Sequence, residues 1–582
     1  MPVATALPRR WLAALTVGLL ALVLYRGIAI LISDPLLALA NNYDMIRVQA
    51  CVKAYPVRAL GIPAWAGSGD APIERHRFRD DVGAPCFLSS EVLFARLARP
   101  LFKAESLRSG DGTFSVRWLG TVKFAAFLAL TVGLSAAWWR RGQHAAATAN
   151  AAVAAVVLTD PAITLYLNGF YAEYSAVLFG YAAIAGAALL LGRRKPPGAV
   201  ALALLALVVT GFVTSKIQHI GLGLLLALAI ALPALAAGRT GRRVVLAVAA
   251  GGALGLAIQA YNLAKTENEI MRLANLTSTV LTTLLPLSDD PDRTAQSIGL
   301  PRRCGQYAGL NWYLPPVNEN AANHPCREVA EVSHARLLGL AFFEPKLFMR
   351  FVGGSLAHVR PWIPSRYRGK PHLGVVAGQM QASLPDGWFS WSRVLDRLPL
   401  WTIQGLVAAP VLVMAILLGL RRLREPSLAA VLTALAVLPH AVIVTVTFGN
   451  GYEDAAKQMH LVFAMVLSFW LLLALAVLGR ASGTRDAGRA VPAGQPLPPT
   501  LPPAAFAMAN RSCSAFVATV REKWRRMFST PAADSCCHSG SSRYTRSMAS
   551  ANCSASPAII TSSPGTRCMP STAAGVATTG TP

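Results

Sequence analysis

"WLAALTVGLLALVLYRGIAILISDPLLALANNYDMIR", residues 11–47, decides how the rest of this chain is read. From Trp11 to about Ile32 the run is apolar but for Arg26, long enough to meet the roughly 20 residues that a helix needs to cross a bilayer. The chain opens "MPVATALPRR", so a signal peptide is the competing reading. A signal's apolar core is shorter, and no small-residue cleavage site clearly follows here, so the run reads as a retained first span. Just beyond it, "NNYDMIR" (41–47) places Asp44 and Arg47 a few residues clear of the membrane. A solvated loop is one reading of them. A carboxylate held at the membrane surface for chemistry is the other.

The pattern of the first run recurs. Of 582 residues, 54% are hydrophobic and only 14% are charged, against roughly 25% charged in soluble domains. The fold class expected is an all-α polytopic membrane protein with about ten transmembrane helices. Their approximate bounds are 11–33, 118–139, 145–160, 173–192, 199–214, 220–237, 244–262, 399–420, 427–447 and 459–479. The third and fifth are short, which is tolerable where a helix lines a cavity inside a bundle. The net charge of +26 would suggest nucleic acid in a soluble protein. Here the basic residues sit in short connections, so no nucleic-acid partner is expected.

Those connections set the orientation. Arg9 and Arg10, "WWRRGQH" (138–144), "GRRKPPG" (192–198), "GRTGRR" (238–243), "RRLREP" (421–426) and "GRASGTRDAGR" (479–489) all fall on one side under the ten-span count. The positive-inside rule makes that side cytoplasmic, with both termini there. Residues 1–480 then form a transmembrane domain with two large outer loops, about 34–117 and 263–398. Within the second, "HARLLGLAFFEPKLFMRFVGG" (334–354) reads as an amphipathic stretch on the membrane surface. Residues 481–582 form a cytoplasmic tail that is Pro-rich and then Ser- and Cys-rich, a composition that cannot build a core; whether the tail is a genuine translated segment stays open.

Cys51 and Cys86 fall in the first outer loop, Cys304 and Cys326 in the second. Two even sets suggest one disulfide per loop in an oxidising compartment, although four cysteines allow three pairings and free thiols are the plainer alternative.

The outer side also collects the ionisable residues. Besides Asp44, Glu173 stands in "TDPAITLYLNGFYAEYSAVLFG" (159–180), Lys216 and His219 in "VTSKIQHIG" (213–221), and Lys457 and His460 in "GNGYEDAAKQMHLVF" (449–463). Each alone has an ordinary reading. Glu173 suits a helix N-terminus, and the Lys-x-x-His pairs suit snorkelling side chains. Together they bring carboxylates and cations to one rim of one bundle, and ionisable groups at a membrane are usually paired or functional. Cations can stabilise a departing phosphate, and a carboxylate can take a proton from an attacking hydroxyl. Arg26 and Lys123 read as isolated charges. Asp80 and Asp81 read as partners of the neighbouring "ERHRFR" (74–79), and "HVRPWIPSRYRGKPH" (358–372) as a basic loop near the bilayer.

In this layout the chain resembles the C-type glycosyltransferases (GT-C fold), multi-span enzymes that use polyprenyl-phosphate sugars at the outer face. The resemblance rests on an acidic residue soon after the first span, here Asp44, and on four further segments. "YLNGFYAEYSAVLF", "TSKIQH", "LSDDPDRTAQSIGLP" (287–301) and "KQMHLVF" are similar to segments of bacterial glycan-biosynthesis hexose transferases. It implies a hexosyltransferase that moves a hexose-like sugar from a polyprenyl-phosphate-linked donor to a glycan, lipid or protein acceptor. The reaction would lie on the outer face of the cytoplasmic membrane and build cell-envelope glycan. Asp44 would be the general base and Glu173 an orienting acid; Lys216, His219, Lys457 and His460 would bind the donor phosphate. The paired-acid motif of many members is a single acid in "YDM", so a divalent metal cofactor stays open. The alternatives are a lipid-linked glycan flippase, or a polysaccharide polymerase or ligase leaning on Arg360, Arg366 and His372.

Overall fold

The structure is a computed structural model that describes residues 8–486, except 35, 40–42, 58–71, 83–84, 194, 267–268, 318–319, 361, 363–389, 421, 424 and 453–454. The expectations for the 487–582 tail and for Arg366 and His372 lie outside the described residues.

The protein is an all-α polytopic membrane protein. In chain order its helices are α1 (Arg9–Ile32), α2 (Tyr43–Val52), α3 (Ser90–Arg108), α4 (Arg117–Arg140), α5 (His144–Val153), α6 (Pro161–Thr164), α7 (Glu173–Leu191), α8 (Ala199–Thr214), α9 (Leu222–Leu235) and α10 (Gly238–Thr266). They continue as α11 (Glu269–Leu276), α12 (Pro291–Ser297), α13 (His334–Phe343), α14 (Pro345–Ser355), α15 (Trp391–Asp396), α16 (Leu400–Gly419), α17 (Pro426–Asn450), α18 (Ala455–Gln458) and α19 (His460–Asp486). Among the described residues, nine helical segments are long and apolar enough to cross a membrane. Eight match expected spans. The other two expected spans are the short helices 144–158 and 199–214.

The ninth long segment, Glu269–Leu287, falls within 263–398, which the sequence pattern reads as a loop. Leu273, Leu276, Val280, Leu281, Leu284 and Leu285 pack with Cys304, Cys326, Val329, Leu337 and Phe351, and with Phe448 of α17. Apolar burial against protein offsets the cost of exposing such a face to water.

The bundle packs α10 along α8 and α9, and α17 against α9, α7 and α19. Gly223 and Gly252 let two backbones approach; a Cβ on Gly223 would lie 2.6 Å from the Gly252 Cα. Small residues at such a crossing are how membrane helices gain close packing. The segment between α1 and α4 adds a small antiparallel sheet in the order β1 (Ala54–Pro56), β2 (Arg75–Phe78), β3 (Thr113–Ser115).

Neither isolated charge is isolated. In α1, Arg26 donates to the Ala155 carbonyl at 3.0 Å and to Thr159 Oγ1 at 3.3 Å. Ala155 lies on the π-helical turn Ala154–Leu158 that ends the short third span, and Thr159 caps it, where the helical ladder is locally widened. Lys123 is ion-paired with Glu91, and both side chains are fully buried. Asp81 does pair with Arg79, at 2.9 Å from Nε to Oδ1.

Candidate functional site

The site begins with α2. Tyr43–Val52 is a short helix lying beyond the first span, and Asp44 stands in its first turn, where a carboxylate is favoured by the helix dipole. The Lys457 ammonium is ion-paired with Asp44, drawn from 413 residues away in sequence. Lys457 is 1% exposed and Asp44 32% exposed. Burial raises the Asp44 carboxyl, but Lys457, Arg47 and Lys216 outweigh it and hold the group below the usual carboxylate range.

Glu173 opens α7 and Lys216 follows α8. Lys216 Nζ lies 2.7 Å from Glu173 Oε1, and it also donates to Gln458 Oε1. The backbone around Lys216 is clamped from several sides. Gln259 Nε2 donates to the carbonyls of Val213 and Lys216, each at 2.9 Å. Ser89 Oγ donates to the Ser215 carbonyl at 2.8 Å. Asn262 exchanges two hydrogen bonds with the Leu88 backbone.

The strap 86–89 therefore connects the two halves of the cluster. At one end Cys86 is disulfide-bonded to Cys51 on α2, and the Phe87 N–H donates to the Arg47 carbonyl. At the other it holds the Lys216 turn. The second disulfide joins Cys304 to Cys326. Among the described residues, Cys304, Cys326 and Glu328 are the one grouping close enough to hold a metal ion, and its two sulfurs are bonded to each other.

The predicted residues do not all stand alike. Asp44, Glu173, Lys216 and Lys457 share one charged cluster. His460 adjoins it, buried, with its ring 5.8 Å from that of Tyr166. Its Nδ1 is 2.9 Å from the Lys457 carbonyl, while Nε2 has no hydrogen-bond partner. His219 is set back. Its ring stacks on Phe212 and its Nδ1 meets Ser215 Oγ at 2.7 Å. It touches the cluster through His460, ring to ring at 6.2 Å.

The structure adds residues that the reading missed. Tyr171 lies under the Lys457 ammonium, 6.0 Å from its ring centroid, within reach of a cation–π contact. Gln458 follows Lys457 directly, so its proximity was legible. Glu91 stands two residues beyond Ser89, which caps α3 by accepting from the Glu91 N–H; burial pushes the Glu91 carboxyl up to about 7, against the pull of Lys123. Asp160 is structural: it accepts from the N–H groups of Ala162 and Trp391 at 3.0 and 2.7 Å. Arg360 donates to the Leu398 carbonyl at 2.6 Å.

A cavity of about 1430 Å3 lies between α5, α7, α17 and α19. At one end are Gln143, His144, Arg422 and Glu425; at the other, Leu158, Val177 and Leu461. Along α19 it extends from Leu461 to Ala476, about 22 Å at 1.5 Å per residue. Its upper end is not the charged cluster itself, but Leu461 adjoins His460 and Val177 lies one helical turn from Glu173.

A multi-span membrane protein with a clustered set of carboxylates and lysines is the class that this fold and site define. Residues 70–330 match the family model of the YfdI N-terminal transmembrane domain. The matched stretch contains Glu173, Lys216 and His219 and excludes Asp44, Lys457 and His460. No curated protein and no solved structure gives a significant match.

Proposed function

We propose that the protein is a glycosyltransferase of the GT-C type, which moves a hexose-like sugar from a polyprenyl phosphate to an acceptor on the outer face of the cytoplasmic membrane. The observation that carries this reading is the meeting of Asp44, Glu173, Lys216 and Lys457, drawn from four remote segments, in one cluster. The match to a membrane glycosyltransferase-associated family model supports it. Two disulfide-closed loops support an oxidising compartment on that side.

In the proposed reaction the donor phosphate docks against Lys216 and Lys457. A phosphate that engages Lys457 competes with Asp44 for the ammonium, and losing that partner makes the Asp44 carboxylate more basic. Asp44 then takes the proton of the acceptor hydroxyl as its oxygen attacks the anomeric carbon. The bond from that carbon to the phosphate oxygen breaks, and the phosphate leaves with its charge against the two lysines. Glu173 orients Lys216, and His460 borders the donor side with His219 stacked behind it. The prenyl tail fits the cavity below, whose upper end adjoins the cluster and whose middle is lined largely by Ala, Val, Ile, Leu and Met side chains.

Incubation of the purified protein with a panel of polyprenyl-phosphate sugars tests this reading, with sugar transfer or release measured with and without chelator. At least one donor yields transfer. The depth of the cavity favours a lipid-linked glycan transporter as the second reading. Movement of intact lipid-linked sugar across proteoliposomes, with no release, would replace the first reading with that one.

A further inference from the structure

Lys123 is a fully buried lysine in a membrane-spanning helix, and the reaction above gives it no task. Such a residue is costly unless it is paired and useful. Its ammonium has three protons to place and three acceptors within reach: Glu91 Oε1 at 2.5 Å, the Gly169 carbonyl at 2.7 Å and the Tyr166 carbonyl at 3.3 Å. Two of the three belong to the turn 165–172, which joins α6 to α7.

That turn carries much of the cluster's supporting surface. Tyr166 faces His460, Tyr171 lies under Lys457, and Glu173 follows at once to meet Lys216. Asn168 ties the same turn to the end of α1 and its exit, donating to the carbonyls of Ile30 and Leu37 at 3.2 and 3.1 Å. Gly169 passes close to Met45, the neighbour of Asp44; a Cβ there would lie 3.1 Å from the Met45 Cε. The turn is not helical throughout, so part of its backbone must find partners outside itself.

We propose that Lys123, charge-balanced by Glu91, is a positioning residue of the candidate site: its ammonium fixes the 165–172 turn and so sets where Tyr166, Tyr171 and Glu173 meet His460, Lys457 and Lys216. The proposal rests on the glycosyltransferase reading for its consequence, but not for its geometry.

The test is the double variant Lys123→Met/Glu91→Leu, which removes both charges at similar volume, a replacement that buried pairs often tolerate. Transfer, as kcat/KM, falls at least tenfold. Added to Glu173→Gln, the double variant causes little further loss, because effects acting through one group do not multiply as independent ones do. A separate arm reads the turn without any activity. With Ala172→Cys, thiol labelling at that position, followed by mass spectrometry, is at least fivefold faster in the double variant.

Unchanged labelling and unchanged transfer would overturn the proposal and leave the pair as packing alone. So would losses that simply multiply with Glu173→Gln. If the unmodified protein transfers no sugar, the labelling arm still decides the positioning role while the functional reading fails by itself. If the double variant is not recovered from membranes, hydrogen exchange on the unmodified protein decides. The 166–172 amides then exchange at least a hundredfold slower than free peptide, and exchange at the free rate would overturn the proposal.

Discussion

Removing Lys216 as Lys216→Met should cost the protein far more than removing a surface lysine. Lys216 and Glu173 are 10% and 2% exposed and lie 2.7 Å apart, so the variant leaves a buried carboxylate without its cation. Breaking a buried pair in this way costs about 3–5 kcal/mol. Glu173→Gln alone should cost only about 1–2 kcal/mol, since the more exposed Lys216 keeps Gln458 and can lean toward water. The double variant should cost about 2 kcal/mol, less than the sum of the singles, which gives a coupling of about 2–5 kcal/mol. At ~2 cal/mol/K per residue, unfolding entropy for a chain folded to Asp486 is about 1 kcal/mol/K, so each kcal/mol moves the midpoint by about 1 °C. The assay is thermal unfolding of the detergent-purified protein, with the unmodified protein and the three variants measured side by side. Singles that each cost less than about 0.5 kcal/mol and simply add would refute the argument, because such values belong to solvated surface pairs.

Other outcomes follow from the same geometry. Asp44 is held below the usual carboxylate range, so its contribution to stability is present above the unfolded value near pH 4 and is lost as pH falls below it toward the lower folded value; Asp44→Asn should flatten the acid limb of the unfolding profile there. Replacing both Cys51 and Cys86 by Ser opens a loop spanning 35 residues, at a cost of about 4 kcal/mol in the chain-entropy picture. The same variant should reduce transfer, because the disulfide ties α2 to the strap that holds Lys216; unaltered activity after clean reduction would remove that link. Arg26→Leu withdraws donors from the Ala155 carbonyl and Thr159, and should cost about 1–3 kcal/mol in unfolding measurements while leaving the KM for the donor unchanged.

Much of the architecture is legible from the chain because bilayer thickness imposes a length on apolar runs, and the basic connections mark their ends. Glu269–Leu287 shows the limit of that logic. A helical face buried against protein partners such as Cys304, Cys326 and Phe351 is as apolar as one facing lipid, and the sequence pattern alone does not distinguish them. The charged cluster was legible residue by residue, since Asp44, Glu173, Lys216 and Lys457 stand just outside apolar runs, where an ionisable group needs a reason. His219 was not separable from His460 on sequence grounds. Both follow a lysine by three positions, yet one ring stacks inside the bundle on Phe212 and the other borders the cluster. Lys123 and Glu91 were hidden for a different reason. Their partnership spans α3 and α4, and no local spacing announces it; a lysine inside a span is the single hint, and its acceptors are partly backbone carbonyls, which carry no sequence signature.

The most direct measurement compares sugar transfer from a polyprenyl-phosphate donor by the unmodified protein and by Asp44→Asn, both purified from membranes at equal yield. Loss of a general base reduces turnover by about 10²–10⁴-fold, so the variant should bind donor yet transfer almost nothing. Turnover within a few-fold of the unmodified protein would show that the acid beside Lys457 takes no proton in the reaction.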